Sequence, residues 1–108
     1  MKRGDVILVH EPNTPASKPR PYVVVQRDSA LEDAAKVTAC PLTSVLHGSA
    51  GQRPFVAPNH QNGLRRPSEV QIDWIYTHPI DYVGGVIGEV DGPTLAAIDL
   101  ALRRWLDL

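Results

Sequence analysis

Cysteine is almost absent: Cys40 is the only one. No intrachain disulfide and no cysteine-built metal framework is available, and such usage is expected in a reducing compartment. Long apolar runs are missing too. Nothing approaches the ~20 residues that a membrane-spanning helix needs. The opening Met1-Lys2-Arg3-Gly4-Asp5-Val6 lacks the apolar stretch of a signal peptide. The expectation is a cytoplasmic protein with no membrane partner. Excess charge of one sign is also lacking. Eleven Lys and Arg face twelve Asp and Glu, a net charge of −1, so any nucleic-acid contact must come from a local patch. There is no GxSxG nucleophile elbow and no glycine-rich phosphate loop followed by lysine. His10, His47, His60 and His78 show no ligand spacing with one another or with Cys40, so neither a metal nor another cofactor is expected.

What the chain does have is proline, ten in 108 residues. That favours an irregular, β-rich fold over a helix bundle. The length suits one domain, residues 1–108. Everything is organised around Lys18–Asp28, KPRPYVVVQRD. Pro19 and Pro21 fix φ near −65° and push the residues before them away from helix. Lys18 and Arg20 are therefore held extended at the mouth of the apolar strand 22–26.

Further strands are predicted at 6–10, at 37–42 (ended by Pro41), at 54–58 between two prolines, at 68–75 and at 83–90 with Tyr82. In 68–75, alternation would put Val70, Ile72 and Trp74 on a core face and Glu69, Gln71 and Asp73 on a polar face. Gly84-Gly85 invites a bulge, and Asn62-Gly63 marks a turn. Segments 11–21 and 47–53 read as loops, the second mobile, and 29–36 as a connecting loop or short helix. Residues 94–106 form the one clear helix, with an apolar stripe of Leu95, Ile98, Leu102 and Trp105. Cys40 is expected in the core. The architecture expected is mainly β: a small antiparallel barrel with a C-terminal helix packed against it.

Three groups of residues carry candidate chemistry. Arg20, with Lys18 beside it, suits bidentate phosphate contact and stabilisation of developing charge. Thr43-Ser44 at a strand end offers paired hydroxyls to a phosphate oxygen; the alternative is a local turn hydrogen bond. The polar face Glu69, Gln71 and Asp73, with Arg65 and Arg66 just upstream, puts an acidic residue beside arginines, as suits acid–base work at a phosphate; the alternative is a solvated sheet face. Trp74 and Tyr76 offer rings for base stacking, against a core position for Trp74.

In order and spacing, these segments resemble the MazF/PemK family of toxins from type II toxin–antitoxin systems. The matching stretches are Lys2–Val6, Lys18–Pro21 followed by VVVQ and Asp28, Pro41–Ser44, Asn62–Ser68, and the end LAAIDLALRRWLDL. The resemblance implies an SH3-like barrel of the CcdB/PemK superfold, a homodimer, and a cognate antitoxin as partner. It also implies a metal-independent endoribonuclease acting on single-stranded mRNA by 2′-hydroxyl attack, leaving a 2′,3′-cyclic phosphate. On this basis Arg20, Thr43 and Asp73 are the catalytic candidates. Lys18, Ser44, Arg65, Arg66, Gln71 and Tyr76 are the RNA-binding candidates. Many relatives have glutamine and arginine where this chain has Trp74 and Tyr76. The competing readings are a CcdB-like toxin that binds gyrase and a non-catalytic SH3-like binding module.

Overall fold

A computed structural model of the chain describes residues 1–12, 18–48 and 52–108; parts of the predicted loops 11–21 and 47–53 lie outside them. Among the described residues seven strands and one α-helix follow in order: β1 (Asp5–Val9), β2 (Arg20–Val24), β3 (Lys36–Thr43), β4 (Phe55–Val56), β5 (Ser68–Val70), β6 (Tyr76–Pro79), β7 (Val83–Glu89) and α1 (Gly92–Leu106). The strands make one antiparallel sheet in the order β4-β5-β3-β2-β1-β7, with β6 also paired to β3. It is a half-barrel: β4 and β7 stand at opposite edges.

The run Tyr22-Val23-Val24 is apolar throughout because the sheet is covered on both faces. Val23 joins Val6, Cys40, Leu42, Val70, Ile72, Ile98 and Ala101 in a cluster on the face that α1 covers. Tyr22 and Val24 join Ile7, Val9, Val37 and Ala39 on the opposite face, closed by Leu31, Ile80, Tyr82 and Val83. Alternation along each strand thus divides the core in two. Helix α1 is fixed at its start by Asp91, whose carboxylate accepts the Thr94 N–H at 2.8 Å, with Pro93 in the first turn. Arg3 ties the N-terminus to three places. Its N–H donates to Asp28 Oδ1 at 2.6 Å, its Nε to the Val25 carbonyl at 2.9 Å, and its Nη1 meets Asp99 of α1 at 2.6 Å.

Several sequence expectations need correction. Pro41 does not end the third strand; β3 continues to Thr43. Lacking an N–H, Pro41 sits where β3 passes from β6 to β5 as its partner, and its carbonyl accepts the Gln71 N–H at 2.8 Å. The predicted strand 68–75 breaks after Val70. The Ile72 N–H turns back to the Val70 carbonyl and the Trp74 N–H to Gln71, and the chain re-enters the sheet as β6, which the sequence reading missed. Beyond the break the alternation is lost, and Trp74, expected in the core, is 53% exposed; within β5, Glu69 is buried where the backbone of His47 and Gly48 folds over it. Strand 54–58 shrinks to two residues. Segment 29–36 is a connecting loop, as expected, entered by the short 3-10 turn Asp28–Ala30 and ending where β3 begins at Lys36. Trp105 lies outside the core, and Ala101 takes its place in the buried stripe. The bulge does form: the β1–β7 register slips between Leu8↔Gly85 and Val9↔Val83, skipping Gly84.

Candidate active site

β2 and β3 pair with Tyr22 opposite Pro41 and Val23 opposite Cys40. The paired ladder ends there; Arg20, the first residue of β2, lies two positions before Tyr22, and Thr43, the last of β3, two positions beyond Pro41. Thr43 faces Glu69 of β5, and Arg20 faces Val9 of β1. Arg20, Thr43 and Glu69 therefore lie toward the same end of the sheet. Paired positions point to the same side of a sheet. Here that is the face of Tyr22, Val24, Val37 and Ala39, away from α1.

Arg20 is exposed and has no ion-pair partner among the described residues. Thr43 is half-buried, and its Oγ1 accepts the Val45 N–H at 3.1 Å. The local turn bond expected as the alternative thus exists. It uses the oxygen as acceptor and leaves the hydroxyl proton to be donated outward. Ser44 is exposed beside it.

The buried Glu69 carboxylate accepts the backbone N–H groups of His47 and Gly48, at 3.1 and 3.0 Å. These two bonds hold its pKa below the ordinary carboxylate value, helped by the nearby His47 and Arg53 charges. The segment that follows Thr43 is in this way folded back onto the strand opposite it. Asp73 is held by Arg53 in a two-pronged pair, Nε–Oδ1 at 3.0 Å and Nη2–Oδ2 at 2.9 Å. The Arg53 hydrogen bond is the main cause that lowers the Asp73 pKa.

Of the sequence candidates, the sheet brings Arg20, Thr43 and Ser44 together. Gln71 is half-buried and fixed by its backbone to Pro41. Tyr76 lies on the same sheet face as Arg20, opposite Ala39 in β6. Lys18, Arg65 and Arg66 are exposed, and no ion pair joins them to these residues among the described ones. Sequence reasoning missed Arg53 and grouped Glu69 only with Gln71 and Asp73 on one polar face, not with the backbone that it binds. Arg53 stood in a small polar stretch with no pattern to mark it. Glu69 looked like one tooth of a solvated face. No cluster of three His, Cys, Asp or Glu able to hold a metal occurs among the described residues, and none of their helices is long and apolar enough to cross a membrane.

An open antiparallel half-barrel with one C-terminal helix is the fold of a class of small toxins that solved structures share with this chain. Residues 2–106 match the family described as PemK-like, MazF-like toxin of type II toxin–antitoxin systems, and the chain belongs to that family. It is 27% identical over 108 residues to a probable endoribonuclease MazF of Mycolicibacterium smegmatis, covering 100% of this chain and 98% of the relative. It is 31% identical over 91 residues to the endoribonuclease MazF3 of Mycobacterium tuberculosis, covering 84% and 85%. A solved endoribonuclease in complex with its cognate antitoxin, from a mycobacterial species, superposes with a TM-score of 0.79 at 25% identity, covering 100% of this chain and 96% of that one.

Proposed function

We propose that this chain is the toxin of a toxin–antitoxin pair and acts as an endoribonuclease on single-stranded mRNA. The observation that supports the reading is that Arg20, exposed, and Thr43, half-buried, stand at the same end of the adjacent strands β2 and β3. In the reaction the RNA 2′-hydroxyl oxygen bonds to the adjacent phosphorus and the bond from phosphorus to the 5′-oxygen breaks. The products are a 2′,3′-cyclic phosphate and a 5′-hydroxyl; the proton leaving the 2′-oxygen is balanced by one delivered to the 5′-oxygen. Arg20 holds two phosphate oxygens and stabilises the charge that builds on them. Thr43 donates its hydroxyl proton to the same group. Asp73 serves through Arg53, fixing the turn that follows β5. Lys18, Ser44, Arg65, Arg66 and Gln71 add contacts along the RNA. Attack by the 2′-hydroxyl confines the reaction to RNA, and charge stabilisation by a guanidinium asks for no metal.

The solved relative in complex with its cognate antitoxin supports a cognate antitoxin as partner; an acidic segment of it is proposed to compete with RNA for Arg20, and the active unit is proposed to be a homodimer. The test is cleavage of unstructured RNA in EDTA. The wild type should cut, leaving 2′,3′-cyclic ends. Arg20→Ala and Thr43→Ala should each lose about 100-fold or more, and Arg20→Lys should recover little, since an ammonium cannot make the two-pronged contact. An inert wild type, or equal cutting by the variants, would sink the proposal.

A further inference from the structure

The sheet face that carries Arg20 and Thr43 also carries a row of rings. Trp74 meets Tyr76 edge-on with centroids 6.1 Å apart, Tyr76 lies 5.4 Å from His78, and His78 lies 5.1 Å from Tyr22. The inner part of the row is covered: Tyr22 and His78 are 3% and 7% exposed. The outer part is not, with Tyr76 at 43% and Trp74 at 53%. Trp74 reached the surface because the strand expected at 68–75 breaks after Val70; a continuous strand would have pointed it with Val70 and Ile72. Two adjacent, half-exposed rings thus extend outward from a buried ring that anchors them.

The row meets the proposed phosphate site through Tyr22, two residues along β2 from Arg20 and on the same sheet face, whose hydroxyl donates to the Glu11 carboxylate at 3.4 Å. At the backbone, Tyr76 is two strands across and four residues along from Arg20, roughly 16 Å by strand spacing and rise. That distance suits the nucleotides next to a phosphate held at Arg20 rather than the phosphate itself. A flat π-face beside a cation is what an unpaired nucleotide presents to: base on ring, phosphate on charge. An acidic peptide would satisfy the cation and leave the rings with nothing to stack on.

We infer that Trp74 and Tyr76 form a stacking platform for an unpaired nucleobase flanking the scissile phosphate. The inference rests on the reading of Arg20 and Thr43 as an RNA site. The platform is indifferent to base identity, because every base has a π-face. It requires the base to be out of a helix, so paired RNA is excluded at this position.

The test uses 2′-O-methyl octanucleotides, which cannot be cleaved: oligo-A, oligo-U, and a chain of abasic 2′-O-methylribose phosphates. Trp105→Phe leaves Trp74 as the only tryptophan. Oligo-A and oligo-U should quench its fluorescence; the abasic chain should bind about 5- to 150-fold more weakly and leave it unquenched. Trp74→Ala and Tyr76→Ala should weaken oligo-A binding over the same range with the salt slope unchanged, and Trp74→Phe should restore most of it. Arg20→Ala should reduce the salt slope by about one. If the abasic chain binds as tightly as oligo-A while Arg20→Ala still lowers the slope, the platform is wrong and the phosphate site stands. If no octamer binds, both fail. If the ring variants leave affinity intact but split an oligomer, the rings face protein, and the inference is overturned.

Discussion

Glu69 lies directly across the sheet from Thr43, and its buried carboxylate binds the backbone of the segment that leaves Thr43. The strand opposite the threonine therefore shapes the loop beyond it. Glu69→Gln presents an NH2 group to one of two N–H donors, so one bond must be lost. Amide exchange at His47 and Gly48 should accelerate while exchange in β2 stays as it was, and Tm should fall. Because the folded carboxyl titrates below its ordinary value of 4.5, its contribution to stability is complete above that pH. It fades as pH drops through the folded value. Unchanged exchange at both amides in Glu69→Gln would show that no such latch exists.

Arg53 and Asp73 should behave as one unit. Both side chains are partly exposed, so solvent screening limits the pair to about 1 kcal/mol even with two-pronged geometry. Arg53→Ala and Asp73→Asn should each cost that much, and the double variant little more. Cleavage should fall to a similar extent in all three. A much larger activity loss in Asp73→Asn than in Arg53→Ala would mean that Asp73 touches the RNA itself.

Gly63 is at φ +70°, and a Cβ added there would sit 2.3 Å from the Ile87 carbonyl oxygen of β7. Backbone must move to admit it. Gly63→Ala should cost about 1–3 kcal/mol, a drop in Tm of roughly 5–20 °C for a chain this size. Gly48 has a similar φ of +67° but open space around it, so Gly48→Ala should cost less. Thermal melts of the two variants give the comparison.

The Cys40 thiol is pushed up to about 12, first by burial and then by the nearby Asp73 carboxylate. At mildly alkaline pH the native protein should not react with a thiol reagent. One equivalent should appear on addition of concentrated guanidinium chloride. Labelling of the native state at the rate of a free thiol would contradict the burial.

The elements fixed by local chemistry were legible in the sequence. The 3-4 apolar spacing of α1 and the diglycine bulge are both written in neighbouring residues. What was hidden depends on which strand lies beside which. Pro41 looked like a terminus because its missing N–H ends most strands; only the change of partner from β6 to β5 makes the gap harmless. Residues 68–75 alternated well, and nothing local announced that Ile72 would fold its N–H back onto Val70. The same divide runs through the site. Arg20 and Thr43 stood out by residue type and context, whereas Arg53 and Glu69 gained their roles from contacts 20 or more residues away.

The chain enters β2 at Arg20 and leaves β3 at Thr43. Both residues are therefore the strand endpoints nearest to connecting segments, while the link between the two strands lies at their other end. Exchange of the segments before Arg20, or between the Glu69 tether and Arg53, should leave the pairing of Tyr22–Val24 with Ala39–Pro41 in place. Grafting is the natural experiment for such an arrangement: exchange of these segments between relatives should alter which RNA is accepted and leave the capacity to cut in place.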